Sequence, residues 1–139
     1  MIVLDTNVVS ELMRPAPHPA VLAWVDAQPD RDLWLCSVGV SELLLGLARL
    51  PPGARRAQLT LAFEAMLAED FSGRVLAFDW PAAVVYADWA ARREREGQPV
   101  AMADAQIAAT CLAHGAQLAT RNVRHFEGLG LVWVNPGLA

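Results

Sequence analysis

The chain has 139 residues, 55% of them hydrophobic, and carries a formal net charge of −4. That length suits one domain with a real core, and the apolar content excludes disorder as the resting state. The negative balance argues mildly against binding nucleic acid through bulk charge, although acids gathered in one pocket can mask a basic rim.

Ile2-Val3-Leu4 is a short apolar run suited to a fully buried strand. It meets Asp5-Thr6-Asn7, after which Val8, Val9, Leu12 and Met13 repeat at helical spacing. A strand is therefore expected to run straight into a helix, with Thr6 or Asn7 as its N-cap. Pro15, Pro17 and Pro19 stop that helix, and a short second one follows through Val21, Leu22, Trp24 and Val25. After the turn signal Gln28-Pro29-Asp30, residues 33–36 read as a strand and residues 37–50 as a helix. Val40, Leu43, Leu44 and Leu47 form its apolar stripe. Pro51-Pro52-Gly53 breaks the chain. An amphipathic helix is expected over 54–69, with Leu61, Ala62, Ala65 and Met66 among its buried positions. Residues 74–78 read as a third strand, and Asp79-Trp80-Pro81 opens a helix with a capping acid and an early proline. That helix ends in Arg92, Arg93 and Arg95 ahead of Gly97, a basic end that suits its dipole. A helix over 103–114 closes at Gly115, and strands follow at 117–119 and 131–134. This alternation indicates an α/β domain with a mainly parallel five-stranded sheet. Neither repeats nor linker-like tracts interrupt it, so residues 1–139 are expected to form a single domain.

The longest apolar runs fall far short of the roughly 18 residues that span a bilayer. No basic region precedes an apolar segment at the N-terminus, which makes a cytoplasmic location the expectation. Cys36 and Cys111 lack metal-site spacing and sit in apolar segments, as buried inert thiols do. Trp24, Trp34, Trp80 and Trp89 also sit in apolar segments and are expected in a core or an interface rather than stacked on bases. His18 and His114 read as capping or surface residues. All eleven basic residues are arginine, which a codon bias explains, while the planar fork of arginine leaves a phosphate-binding rim open.

Ligands of open parallel sheets bind beyond the carboxyl ends of the strands. Asp5 ends the first strand, Glu42 sits on the helix after the second, Asp104 begins a later helix, and Thr120-Arg121-Asn122 follows the fourth strand. Singly, each acid has an ordinary explanation: Asp5 as a cap, Glu42 in an ion pair, Asp104 favouring a helix dipole. Converging, they would repel one another unless a cation compensated. A hard divalent ion that keeps several waters needs only a few carboxylates.

Four segments carry a family resemblance: MIVLDTNVVSELMRP, SVGVSELLLGLARL, AMADAQIAATCLAHG and LATRNVRHFEGLGLVWVNP. Together they resemble the PIN-domain ribonucleases, and most closely the VapC-type toxins of bacterial toxin–antitoxin systems, in their FitB-like branch. The resemblance spans nearly the whole chain. It implies a three-layer α/β/α fold and a Mg²⁺- or Mn²⁺-dependent endoribonuclease with RNA as substrate. The family's first, second and third acidic positions match Asp5, Glu42 and Asp104. Thr6 and Asn7 match polar positions that would orient Asp5 through hydrogen bonds. Many members have an aspartate at the fourth position, where this chain has Asn122. The amide can offer a carbonyl oxygen but no charge. One metal is therefore expected, held by Asp5 and Asp104 with Glu42 assisting directly or through water, and Thr120 is a further polar candidate. Arg121 and Arg124 are candidates for phosphate contact against the plain reading of a solvated loop, and His125 is expected to pack. The family also implies a cognate antitoxin, a homodimer and toxin–antitoxin hetero-oligomers. A non-catalytic PIN-like RNA-binding or interaction module stands as the alternative, because the fourth acid is missing.

Overall fold

The strands are short, and those inside the sheet bury most of their residues because helices cover both faces. The computed structural model describes residues 1–122, 126 and 128–138. Its strands are β1 (Ile2–Leu4), β2 (Leu33–Cys36), β3 (Val75–Leu76), β4 (Gln117–Ala119) and β5 (Trp133–Val134). They form one sheet in the order β3-β2-β1-β4-β5, with every pairing parallel. The helices are α1 (Thr6–Leu12), α2 (Pro19–Asp26), α3 (Ser37–Ala48), α4 (Ala54–Glu69), α5 (Trp80–Arg95) and α6 (Met102–Ala113).

Strand alternation divides the core in two. Val3, Cys36, Leu76 and Leu118 join Trp89 of α5 and Ile107, Ala108 and Cys111 of α6. Leu4, Leu33, Leu35 and Ala119 join Val8 and Val9 of α1, Val21 of α2, Leu47 of α3 and Phe63 of α4. The result is the expected α/β/α layering. Cys36 and Cys111 are free and buried, and burial pushes the Cys111 thiol far up. Among the described residues no helix is long and apolar enough to cross a membrane.

Several local expectations change. The N-cap of α1 is Asp5, in extended conformation with its carboxylate accepting from Thr6 N–H, because the helix begins directly where the strand ladder stops. Thr6 and Asn7 therefore fall in the first turn. The edge strands β3 and β5 are shorter than 74–78 and 131–134, each having a single neighbour to pair with. On α4 the inward face runs through Leu59, Phe63, Met66 and Leu67, while Leu61 is 66% exposed and Ala62 and Ala65 are exposed too. Phe63 is the largest apolar group on that helix, and seating its ring in the core sets the rotation. Leu44 of α3 is likewise exposed, and Trp80, the first residue of α5, is 81% exposed, so of its two expected places, core or interface, the core is excluded. The histidines behave as expected: His18 caps α2, accepting from Ala20 N–H, and His114 caps the end of α6 and lies 3.0 Å from Asp79.

Candidate active site

Parallel register brings the first two site residues together. Leu4 of β1 stands opposite Ala119 of β4, so the next residues, Asp5 and Thr120, meet just past the strand ends. The Asp5 N–H still donates to the Ala119 carbonyl at 2.9 Å, the last rung before the chain turns into α1. Asp5 is only 3% exposed. Its two carboxylate oxygens take separate donors: Thr6 N–H to Oδ1 at 2.8 Å and the Thr120 hydroxyl to Oδ2 at 2.8 Å.

The Thr120 hydroxyl has a defined direction. Its oxygen accepts from Asn7 Nδ2 at 3.3 Å and from Asn122 N–H at 3.0 Å. With both lone pairs engaged, its one proton goes to Asp5. Thr120, treated above as one polar candidate among several, is thus fully buried at the centre of the network.

The other acids arrive on separate helices. Thr6 donates its hydroxyl to Glu42 Oε1 at 2.8 Å, linking α1 to α3. Gly39, one turn before Glu42, lies close enough that an added Cβ would touch Thr6 Oγ1 at 3.5 Å and Ile107 Cδ1 at 3.9 Å. Here α3 therefore runs close to both α1 and α6. Asp104 lies in the first turn of α6, on the stripe that Ile107, Ala108 and Cys111 continue into the core. Burial pushes the Asp5 carboxyl above its ordinary value of 3.8. The hydrogen bonds from Thr120 and Thr6 oppose that shift, while the fields of Asp104 and Glu42 add to it.

A divalent ion fits this donor set. A buried carboxylate facing two further acids gains from a nearby cation, and Mg²⁺-type ions bind through one or two carboxylates with water completing the shell. Among the described residues, no group of three or more His, Cys, Asp and Glu side chains gathers at metal-binding distances. The site is thus a buried aspartate with two acids in its field, not a closed cage.

Residues 2–129 match the PIN domain family. The chain belongs to the PIN-domain family. It is 46% identical over 136 residues to the VapC ribonuclease Y4jK of Sinorhizobium fredii, covering 98% of this chain and 97% of that protein. It is 39% identical to the toxin FitB of Neisseria gonorrhoeae, covering 98% of each. Among solved structures, a chain of FitAB bound to an IR36 DNA fragment superposes with a TM-score of 0.90 at 38% identity, covering 99% of this chain and 96% of that one.

One residue of this PIN domain escaped sequence reasoning altogether. Glu11 of α1 is 5% exposed and accepts from Arg121 Nη1 at 3.1 Å and from Arg14 Nη1 at 3.4 Å. Its spacing of four from Asn7 was the available signal, since it puts both on one face of α1. Arg121 is therefore engaged rather than loose, with its backbone N–H also held by Asn7 Oδ1 at 3.1 Å. Arg124 and His125 lie outside the described residues.

Proposed function

We propose that this chain is a metal-dependent endoribonuclease of the toxin class that hydrolyses RNA phosphodiester bonds. The observation that carries the reading is Asp5: buried at a strand end, held at both oxygens, and in the field of Glu42 and Asp104. The names of its relatives, a VapC ribonuclease and the toxin FitB, support the same activity. In this reading Asp5 and Asp104 hold one divalent ion, Mg²⁺ or Mn²⁺, and Glu42 assists. Such an ion, when bound, lowers the pKa of its water and offsets charge developing on the phosphodiester.

The chain's own residues orient and move protons around that centre. Thr6 N–H and the Thr120 hydroxyl fix the plane of the Asp5 carboxylate. The Thr6 hydroxyl occupies Glu42 Oε1, which leaves Oε2 to take the proton of the attacking water. Asn122 would offer a neutral carbonyl oxygen where the family resemblance implies a fourth acid. Arg121, 39% exposed at its side chain, and Arg124 are the proposed phosphate contacts.

A cavity of about 610 Å³ opens beside the site, lined by Thr6 and Glu42 together with Ser10, Met13, Leu43 and Arg55. We assign this opening to RNA and, in the inhibited state, to a cognate antitoxin. The FitAB complex supports such a partner. The same reading makes the protein cytoplasmic, with homodimers built into toxin–antitoxin hetero-oligomers.

Purified protein is expected to cleave RNA only with a divalent ion, and Asp5→Asn or Asp104→Asn to abolish cleavage. Unchanged cleavage by both folded variants would refute the site. The neutral Asn122 favours one rival, a PIN module that binds RNA without cutting it. That rival predicts binding without cleavage at millimolar Mn²⁺, and activity restored by Asn122→Asp.

A further inference from the structure

We propose that Glu11 is a positioning residue: through Arg121 it clamps the 120–122 turn onto α1 and so holds the Thr120 hydroxyl on Asp5. Its kinetic consequences rest on the ribonuclease reading; the clamp itself does not.

A carboxylate buried as deeply as Glu11 needs charged partners, and it has them on both oxygens. Arg14 is a sequence neighbour just past the end of α1, but Arg121 comes from 110 positions away, directly after Thr120. Asn7 and Glu11 stand one helical turn apart and grip residue 121 at two places. Asn7 Oδ1 takes the Arg121 backbone N–H at 3.1 Å, and Glu11 Oε1 takes its guanidinium at 3.1 Å. Gly137 approaches from the C-terminal turn, where an added Cβ would lie 4.0 Å from Arg121 Nε.

The grip leads to the reacting carboxylate in two steps. Asn7, while holding Arg121, also donates from Nδ2 to Thr120 at 3.3 Å. The N–H of Asn122, on the other side of Arg121, donates to the same hydroxyl at 3.0 Å. These two contacts leave the Thr120 proton no acceptor but Asp5 Oδ2. Without the Glu11 charge the guanidinium turns toward solvent, residue 121 keeps only its backbone bond to Asn7, and the Asn7 and Asn122 contacts that aim the Thr120 hydroxyl loosen. Glu11 bonds neither Asp5 nor Thr120, so it reaches their contact through Arg121, the partner it holds from across the fold.

The test compares Glu11→Gln, Arg121→Gln and the double variant for kcat and KM on an RNA oligonucleotide with Mg²⁺ or Mn²⁺. Amide hydrogen exchange is followed at Arg121 and Asn122. Glu11→Gln keeps the arginine cation, so it is expected to lower kcat about tenfold with KM little changed. Exchange at both amides should quicken while Ile107 in the core stays protected. The double variant should lose no more in kcat than the worse single variant, because both break one clamp. Wild-type kcat in folded Glu11→Gln, losses that multiply in the double variant, or unchanged exchange at both amides would each overturn the proposal. Should Glu11→Gln not fold, Arg121→Lys carries the same measurements, since it keeps the charge and loses the fork. If the wild-type protein cleaves no RNA, the ribonuclease reading falls and the exchange result alone decides the clamp.

Discussion

At Asp5, burial works against the ionised form that a metal site needs, and the sign of that conflict can be measured. Its folded-state pKa lies above the ordinary 3.8. Between those two values the native state binds more protons than the unfolded chain, so stability falls as pH rises through the window and then levels off. Without divalent ions, the wild-type Tm is therefore expected to rise when the buffer is acidified from neutral into that window, and Asp5→Asn to lack this component. Adding Mg²⁺ or Mn²⁺ at neutral pH should raise the wild-type Tm and leave Asp5→Asn unmoved, since only a native-state site gains from ligand. Thermal melts across pH, with and without the ion, check both. Thr120 gives a second handle. Thr120→Val removes the donor to Asp5 and strands the Asn7 and Asn122 N–H groups, an expected cost of about 1–3 kcal/mol with loss of cleavage. Thr120→Ser should keep activity, which urea melts and RNA assays on the pair will show. The prominence of Asp5 was legible because a lone acid closes an apolar strand. That of Thr120 was not, because its bond to Asp5 spans 115 positions and depends on the β1–β4 register. Glu11 looks like any acid on a surface helix until the turn after β4 folds over it.

Elements were legible wherever a breaker bounds them. Proline stretches, Asp79-Trp80-Pro81 and the glycines after α5 and α6 mark ends that the fold respects. Gly115 shows the physical reason. It sits at φ 67° just past α6, where Gly115 N–H reaches the Leu112 carbonyl at 3.3 Å and Ala116 N–H reaches that of Cys111 at 2.9 Å. A side chain there would be strained by its own backbone, although nothing crowds the position. Gly115→Ala is therefore expected to cost about 1 kcal/mol, seen as a lower denaturation midpoint with an unchanged slope. Rotation about a helix axis was less legible than its ends. In α4 alanine and leucine occur on several faces, so spacing alone favoured Leu61, Ala62 and Ala65, and only the seating of Phe63 decides otherwise. The cap of α1 falls on Asp5 rather than on Thr6 or Asn7 for a related reason. Asp, Thr and Asn all cap well, and the end of strand pairing picks Asp5.

For the molecule as a whole, the site depends on two cores that meet at the sheet, and α4 tests whether they have been divided correctly. Phe63 is fully buried in the cluster that also holds Leu4, Val8 and Val9, the residues on either side of Asp5 in β1 and α1. Removing its ring opens a cavity under that layer. Phe63→Ala should then cost about 3–5 kcal/mol and loosen the support of Asp5, so cleavage should fall more steeply on warming than in wild type. Leu61, two positions earlier, is 66% exposed, and Leu61→Ala in the monomer should stay within about 0.5 kcal/mol of wild type. Urea unfolding of the two variants, at protein concentrations low enough to keep monomers, makes the comparison. A large cost at Leu61 with a small one at Phe63 would mean that α4 is rotated, which would undo the core assignment. A cost at Leu61 that grows with protein concentration would point to a partner copy covering that face, since only association makes stability depend on concentration.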